Sequence, residues 1–268
     1  MIDPFLKVAI AAAEVGGRIT SGYFSDLSSA GVIEKNQDQQ SEGLVIKADV
    51  ESEQAIVTTI RETFPDHYFL AEEEHSDSVD ADHLWIIDPL DGTNNFAHGI
   101  PHFAVSVAYY RNGQPHCGAV LNPVTGEMFT AVQGGGAFLN SQPVQVNTHQ
   151  RLNQTIVATG FYYDRGRIMK ATLAAMNDLF EQDIHGIRRF GAAALDLAYV
   201  GVGRFGGFFE LTLSSWDFAA AALFVREAGG IVTTCRGEPL LLQKTSILAT
   251  NSHLHGAMKS IVERHSQS

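Results

Sequence analysis

The sequence predicts a mixed α/β (α+β) fold, and three observations lead to that prediction. Two amphipathic helical stretches open the chain, and short β-rich runs separated by turn residues follow them. From residue 155 onwards strand-like and helix-like segments alternate, which is typical of an α/β arrangement. The change from consecutive strands to alternating strands and helices falls at a polar segment near residue 145. We therefore expect an N-terminal α+β lobe over residues 1–145 and a C-terminal α/β lobe over residues 146–268, which form one compact unit.

Two helices are expected at the start of the N-terminal lobe. Asp3 followed by proline is a favourable helix start, and an apolar stripe at helical spacing continues to about Phe24. Residues 25–43 are polar and predict a surface loop, with a lid over an active site as the less favoured alternative. The second helix is expected over 50–64, and Asp49 stands where its N-cap would lie.

The remaining elements follow from apolar runs between turn residues. A short strand over 68–70 leads into Glu72, the first residue of a triple-Glu run. An antiparallel meander is expected from the β-rich runs 103–110, 115–122, 127–132 and 137–139. In the C-terminal lobe we expect strands at 155–160, 187–189, 205–211, 231–234 and 247–250 and helices at 168–180, 191–200, 216–228 and 254–263.

Length, composition and charge limit the possible functions. The 268 residues can bury a large core, and contents of 45% hydrophobic and 18% charged residues are ordinary for a globular protein. A net charge of −12 disfavours non-specific binding to nucleic acid or to a membrane surface, so we expect neither partner. Cys117 and Cys235 form no paired motif, which favours a reducing compartment. The sequence shows neither a signal peptide nor a membrane-spanning run, so we expect a cytoplasmic protein.

The most informative stretch is WIIDPLDGTNNF, residues 85–96. Its apolar start predicts a buried strand that ends at Asp88, and Pro89 should force a turn because proline cannot continue a sheet ladder. Asp91 can then face the same point as Asp88 and cap a helix that begins with Gly92-Thr93. Two carboxylates beside a helix N-terminus can hold cations and a phosphate together. From these residues alone, an ordinary strand, turn and cap is the alternative.

A second motif, residues 214–220 (SSWDFAA), opens the helix expected over 216–228. Taken alone, Asp217 would only complement the dipole of that helix. Glu72 could likewise belong to a solvated acidic run, and Glu210 could be an acidic residue at a strand end.

The histidines lack the spacing of a zinc site and are interpreted as structural or surface residues. The chain has neither a P-loop nor a G-x-S-x-G motif.

Together the two motifs resemble the signatures of the inositol monophosphatase family of Mg²⁺-dependent, lithium-sensitive phosphatases. The resemblance covers nearly the whole chain and implies a layered α/β/α/β/α sandwich of the inositol monophosphatase and fructose-1,6-bisphosphatase type, with the site between the two lobes. Relatives are commonly homodimers. The chain departs from the family pattern at Ile46 (usually Thr), Ala71 (Gly), Ala192 (a hydroxyl residue) and Ala221 (Gly).

The resemblance also implies roles for the matching residues. Two or three Mg²⁺ ions would be held by Glu72, Asp88, the Leu90 carbonyl, Asp91 and Asp217. Glu72 and the Thr93 hydroxyl would orient and deprotonate the attacking water, with Asp49 supporting Thr93. The implied substrate-binding residues are Gly92, Thr93, Asn94, Gly191, Ala192, Ala193 and Glu210.

The implied reaction is metal-assisted hydrolysis of a phosphate monoester of a small polyol or sugar, without a phosphoenzyme. Asn94-Asn95-Phe96 resembles the Thr-Asn-Phe of inositol monophosphatases more than the Lys-Glu-Phe of the nucleotide branch, so inositol 1-phosphate is the first expected substrate. Fructose-1,6-bisphosphatase, histidinol-phosphatase and 3′-phosphoadenosine nucleotidase activities are alternatives. A non-catalytic Mg²⁺-dependent protein that senses a phosphometabolite or docks onto a larger assembly is an alternative of another class. The pair Glu72 and Thr93 disfavours it, because a binding protein needs no water-activating groups.

Overall fold

The computed structural model describes residues 3–27, 32–34, 44–162 and 164–266, so the loop expected over 25–43 lies mostly outside the described residues. The helices are α1 (Pro4–Ser25), α2 (Lys47–Arg61), α3 (Thr93–Ala97), α4 (Arg167–Phe180), α5 (Ala193–Gly201), α6 (Ser215–Glu227) and α7 (His255–Ser266). The strands are β1 (Val32–Glu34), β2 (Leu44–Ile46), β3 (Tyr68–Ala71), β4 (His83–Asp91), β5 (Ala104–Arg111), β6 (Gln114–Asn122), β7 (Glu127–Val132), β8 (Gly136–Leu139), β9 (Gln142–Val144), β10 (Ile156–Thr159), β11 (Gly186–Arg188), β12 (Gly207–Leu213), β13 (Ile231–Thr233) and β14 (Thr245–Thr250).

Two large sheets carry the fold. The seven-stranded sheet has the order β3-β4-β5-β6-β7-β8-β9, in which β3 runs parallel to β4 and every later neighbour is antiparallel. The predicted meander is therefore confirmed, with β9 as an additional strand. The five-stranded sheet has the order β11-β10-β12-β14-β13, with β10 parallel to both of its neighbours. A short antiparallel ribbon pairs β1 with β2.

Both faces of each large sheet are covered, which produces five layers. In β4, Trp85 and Ile87 face the core formed with α1 and α2, whereas Leu84 and Ile86 face the core formed with α5 and α6. A strand that is buried on both faces reads as a continuous apolar run, which explains the pattern at 84–87. The second face of the five-stranded sheet packs on α4 and α7. The predicted α/β/α/β/α sandwich is confirmed.

Helix α6 brings the second motif close to the first sheet. Its alanine-rich centre packs on β6, where an added Cβ at Gly118 would lie 2.9 Å from the Cα and 3.2 Å from the carbonyl oxygen of Ala220. Small residues on both sides permit this approach. Because α6 contacts strands of both sheets, the division of the chain at residue 145 into two lobes stays a prediction.

Three local predictions were wrong. Helix α2 begins at Lys47, directly after β2 ends, so Asp49 lies inside its first turn and is not its N-cap. Strand β4 continues through Pro89 to Asp91, because a bulge opposite β5 leaves the proline outside the regular ladder. The N-cap of α3 is Gly92, in a left-handed conformation with φ of 97°, and not Asp91.

Neither cysteine is paired. Cys117 is a free thiol in the core beneath α1 and α2, and Cys235 is a free thiol in the core beneath α4 and α7. Burial raises the pKa of both thiols, to about 12 for Cys235. Among the helices of the described ranges, none has the length and apolar character needed to cross a membrane.

We predict that Gly118→Ala destabilises the protein by about 1–3 kcal/mol, because the added methyl group meets backbone atoms that cannot move aside. Gly22→Ala is the matched control. Gly22 lies in α1, and among the described residues no atom outside the helix's own neighbouring backbone comes within 4 Å of the place that an added methyl group would take. Alanine there should stabilise the helix by about 0.5–1 kcal/mol. Urea unfolding of both variants measures the difference. Equal stability of the two variants would show that β6 and α6 are not packed this closely.

Candidate active site

One cavity of about 590 Å³ brings the two motifs together. Of the residues implied by the resemblance, those that line it are Glu72, Asp88, Leu90, Asp91, Gly92, Thr93, Asn94, Gly191, Ala192, Ala193, Glu210 and Asp217. Asp49 does not line the cavity but lies buried behind Thr93. A smaller depression of about 230 Å³, near Arg167 and Arg236, contains none of these residues.

The bulge in β4 fixes the position of Asp88. The backbone N–H of Leu90 donates a hydrogen bond of 3.1 Å to Asp88 Oδ1. The Ser52 hydroxyl of α2 donates to the Pro89 carbonyl oxygen at 3.1 Å, which ties the bulge to the helix behind it. The irregular backbone at Pro89 is thus supported from both sides.

Asp91 caps a helix of the second half of the chain. Its Oδ1 accepts a hydrogen bond from the Ala193 N–H at 3.2 Å, and its Oδ2 accepts one from the Ala194 N–H at 2.7 Å. These are the first two residues of α5, so the carboxylate satisfies backbone donors that a helix start leaves unpaired. The residue that follows, Gly92, has φ of 97°, and a Cβ there would lie 3.1 Å from the His102 carbonyl oxygen. Only glycine fits both the conformation and the space.

Glu72 is positioned through a buried glutamate of α2. Glu53 is fully buried, and its two carboxylate oxygens accept hydrogen bonds from the N–H groups of Glu73 at 2.8 Å and Glu74 at 2.9 Å. Its Oε1 also lies 2.8 Å from the His75 Nδ1. The loop that follows β3 is therefore held against α2, with Glu72 facing the cavity.

Thr93 connects the first motif to Asp49. Its hydroxyl donates a hydrogen bond of 3.1 Å to the Leu90 carbonyl oxygen and lies 3.5 Å from Asp49 Oδ1. Although Asp49 does not cap α2, this contact agrees with the supporting role that the resemblance implies for it.

Asp217 and Glu210 enter the cavity from the second half of the chain. The Ser214 N–H donates to Asp217 Oδ2 at 2.7 Å, which holds the carboxylate at the start of α6. Glu210 lies on β12, directly over Gly160: a Cβ on Gly160 would come within 1.8 Å of Glu210 Oε2. Glycine at position 160 therefore leaves the space that the Glu210 carboxyl occupies.

Burial raises the pKa values of three acids in the cavity, and repulsion from other acids adds to the shift at two of them, Asp88 and Asp91. Burial, followed by repulsion from Glu72, Asp91 and Asp217, holds the pKa of Asp88 well above its usual range. Burial and then Asp217 raise the pKa of Asp91 to about 7. Burial raises the pKa of Asp217 to about 6, against the lowering effects of the Ser214 hydrogen bond and Lys244.

Glu210 and one further acid, Asp196 of α5, have a different environment. Burial is the main reason that the pKa of each lies well above its usual range, and neighbouring acids add to the shift. The charge of Arg189 lowers both pKa values, but backbone hydrogen bonds contribute to neither. By contrast, backbone N–H groups lower the pKa values of Asp88, Asp91 and Asp217.

The donor set suits a hard divalent cation. Six acids line the cavity and face two basic side chains, Arg189 and Lys244, among the described lining residues. Carboxylate and carbonyl oxygens are the ligands that Mg²⁺ prefers, and a cation would relieve their repulsion. In the part of the chain that the structure describes, no three His, Cys, Asp or Glu side chains are grouped so that they could hold a metal ion as they stand. The ligand assignment to Glu72, Asp88, Leu90, Asp91 and Asp217 therefore stays a prediction, which requires side-chain movements on metal binding.

Sequence analysis missed several residues that line the cavity. They are Asp196, Arg189, Lys244, Phe161 and Tyr162. The Lys244 ammonium group contacts the Tyr162 hydroxyl and lies 4.4 Å from the centre of its ring. Only Asp196 left a signal in the sequence, as an acid within a helix that is otherwise apolar at its start. Arg189 belongs to the strand expected over 187–189, which gave no sign of a functional role, and the other three belong to no predicted helix or strand.

Comparisons with known proteins agree with this geometry. The model of the inositol monophosphatase family matches residues 1–267. The Nus factor SuhB of Pasteurella multocida is 40% identical over 98% of this chain and 94% of its own length. An inositol-1-monophosphatase of Rhizobium meliloti is 43% identical over 82% of this chain and 83% of its own length. The crystal structure of the extragenic suppressor protein SuhB from Bartonella henselae matches with a TM-score of 0.90 at 37% identity, covering 98% of this chain and 99% of that chain.

The chain therefore belongs to the inositol monophosphatase family. Relatives at about this level of identity include both proteins named Nus factor SuhB and proteins named inositol-1-monophosphatase. Family membership establishes the fold but not which activity this chain has.

We predict that Mg²⁺ binds more tightly as the pH rises from about 5.5 to about 8. Raised pKa values mean that Asp91 and Asp217 hold protons at lower pH in the metal-free protein, and Mg²⁺ must displace those protons. Calorimetric titration with Mg²⁺ in buffers of different ionisation enthalpy measures both the affinity and the protons released. An affinity that is constant between pH 6 and 8, without proton release, would contradict the assignment of these two carboxylates as ligands.

Proposed function

We propose that this protein hydrolyses phosphate monoesters of small polyols in a Mg²⁺-dependent reaction, with inositol 1-phosphate as the first candidate substrate. The observation that carries the proposal is the single cavity in which Asp88, Asp91 and Asp217 converge beside Gly92 and Thr93. Acids on two separate halves of the chain, next to backbone that can bind phosphate, form a site for cations and a phosphate together.

The metal would be held by the acids that backbone donors already orient. These are Asp88, Asp91 and Asp217, with Glu72 and the Leu90 carbonyl completing the set. Two or three Mg²⁺ ions, when bound, would neutralise the phosphate oxygens and lower the pKa of water.

The chain itself would bind the phosphate and position the water. Gly92 and Thr93 line the cavity and would offer backbone N–H groups to the phosphate oxygens. The Thr93 hydroxyl and the Glu72 carboxylate would orient the attacking water, and Glu72 would accept its proton. Asp49, 3.5 Å from the Thr93 hydroxyl, would keep that hydroxyl directed at the water. This arrangement requires no covalent phosphoenzyme.

Another part of the cavity lining supports a hydroxyl-rich leaving group. Glu210 lies there, together with Gly191, Ala192 and Ala193. In this structure the Ala193 N–H is bonded to Asp91, so the other groups of this segment would contact the substrate. Acceptor oxygens suit the hydroxyl groups of inositol, whereas an acidic wall would repel a second phosphate. We therefore place fructose 1,6-bisphosphate and 3′-phosphoadenosine nucleotides, which carry a second phosphate, after inositol 1-phosphate. Histidinol phosphate has a single phosphate and stays an alternative substrate.

A homodimer in the cytoplasm remains our expectation for the native state. Light scattering coupled to size exclusion would give the mass of the purified protein directly. A mass near 29.1 kDa, that of one chain, would contradict the dimer.

We predict Mg²⁺-dependent phosphate release from inositol 1-phosphate, with a higher kcat/KM than from the three other substrates. Asp91→Asn should lower kcat by a factor of about 10² or more, because the amide cannot replace the charged ligand. Asp66→Asn, at an exposed position, is the matched control and should retain full activity. Near-UV circular dichroism would verify that both variants are folded. Unchanged turnover of Asp91→Asn at saturating Mg²⁺ would refute the metal role of this residue.

A second candidate function is docking onto a larger assembly without hydrolysis, which we consider because several relatives carry the name Nus factor SuhB. The observation that favours it is 39–40% identity to such proteins over nearly the whole chain.

Expression in an Escherichia coli strain depleted of its own SuhB tests this second role. A docking role that is independent of hydrolysis predicts that Asp91→Asn restores growth as well as the unmodified chain does. If neither protein restores growth, this chain does not share that role with the relative.

A further inference from the structure

We propose that Asp196 is a substrate-binding residue that accepts a hydrogen bond from a hydroxyl group of the polyol and makes the site selective for polyhydroxylated phosphates. The inference rests on the proposed function, because it assigns a role within the same cavity. It adds a second acidic side chain to the wall that Glu210 forms.

The Asp196 carboxyl is buried, lines the cavity and lacks a partner at one oxygen. The residue is 1% exposed, and no group of the described chain donates a hydrogen bond to its Oδ1. A buried polar atom without a partner destabilises the fold, so native structures contain few of them. Such an atom beside a ligand cavity is explained if the ligand supplies the missing donor.

Helix capping does not explain this carboxyl. An acid in the first turn can bind free N–H groups or complement the helix dipole. At the start of α5, however, the N–H groups of Ala193 and Ala194 already bind Asp91. The N–H of Asp196 itself is bonded to the Ala192 carbonyl oxygen. Asp196 thus adds a second acid to a helix start that already has one, and the two repel each other.

The neighbours of Asp196 complete a surface that can recognise hydroxyl groups. Glu210 is close enough for its pKa to respond to the charge of Asp196, and Arg189 attracts both carboxyls. The Arg189 guanidinium lies against Gly191, where an added Cβ would be 2.9 Å from its Nη1. Two acceptors and one donor on the same wall match adjacent hydroxyl groups of a polyol, each of which can donate and accept.

Two variants separate the proposed role from a structural one. Asp196→Leu removes the acceptor while keeping the number and branching of the side-chain heavy atoms, and Asp196→Asn retains one acceptor oxygen. For Asp196→Leu we expect kcat/KM for inositol 1-phosphate to fall about tenfold or more, mainly through KM, because a site without the acceptor leaves a substrate hydroxyl unpaired. 4-Nitrophenyl phosphate has no alcohol hydroxyl group that could donate a hydrogen bond to Asp196, so its turnover should change less than about twofold. Asp196→Asn should fall between Asp196→Leu and the unmodified protein.

The unfolding temperature provides the second readout. Removal of an unpaired buried carboxyl should leave it unchanged or raise it, whereas loss of a structural residue would lower it. A fall in activity that is equal for both substrates, a lowered unfolding temperature, or no effect on inositol 1-phosphate would each overturn the proposal.

A binding measurement keeps the proposal testable if the protein hydrolyses nothing. Calorimetry with Ca²⁺ present gives the affinities for inositol 1-phosphate and for inorganic phosphate without requiring turnover. We expect Asp196→Leu to weaken inositol 1-phosphate about tenfold and to leave inorganic phosphate unchanged, with Asp66→Asn as the control. Absence of hydrolysis by the unmodified protein would count against the proposed function alone, and equal affinities of all variants for inositol 1-phosphate would count against Asp196.

Discussion

The hydrogen bonds from Ala193 and Ala194 to Asp91 join the two halves of the molecule at the site. They connect the end of β4, in the seven-stranded sheet, to the start of α5, between the sheets. The close approach at Gly92 depends on this contact, because the same turn packs against residues 191 and 192. One carboxylate therefore fixes the geometry of the cavity and stands where a metal ligand is expected. Its pKa, raised by burial, is limited to about 7 by these same two N–H donors.

The buried acids of the cavity destabilise the folded state electrostatically, and the packing of the surrounding layers compensates for this cost. Burial of several acids near one another is unfavourable, and Arg189 and Lys244 offset only part of it. Hydrogen bonds from backbone N–H groups hold Asp88, Asp91 and Asp217 in place despite this repulsion. A ligand that binds the folded state and neutralises these charges would stabilise the protein by mass action. Stability and ligand binding are thus coupled through the same side chains.

Apolar periodicity predicted most helices and strands of the mixed α/β fold, whereas the five layers and the candidate site residues followed from the resemblance that the two motifs carry. Sequence analysis failed where a residue's partner is distant along the chain. Asp91 was expected to cap the helix next to it, but it caps α5, about a hundred residues away. Pro89 was expected to turn the chain, but β4 continues past it, because a bulge in the pairing with β5 accommodates the proline. Asp196 stood out only as an acid at an apolar helix start, and the sequence does not show that its side chain lies buried near Asp91 and Glu210.

The way each acid is held divides the cavity into two parts. Asp88, Asp91 and Asp217 each accept a backbone N–H, which favours the charged form that a cation requires. Glu210 and Asp196 have no such donor, and Arg189 is the group that favours their charged form. Acids in the first environment suit metal ions, and acids in the second suit neutral hydroxyl groups, to which either protonation state can bond. Under the proposed function, cations would therefore bind beside the first group of acids, and the polyol would bind beside the second.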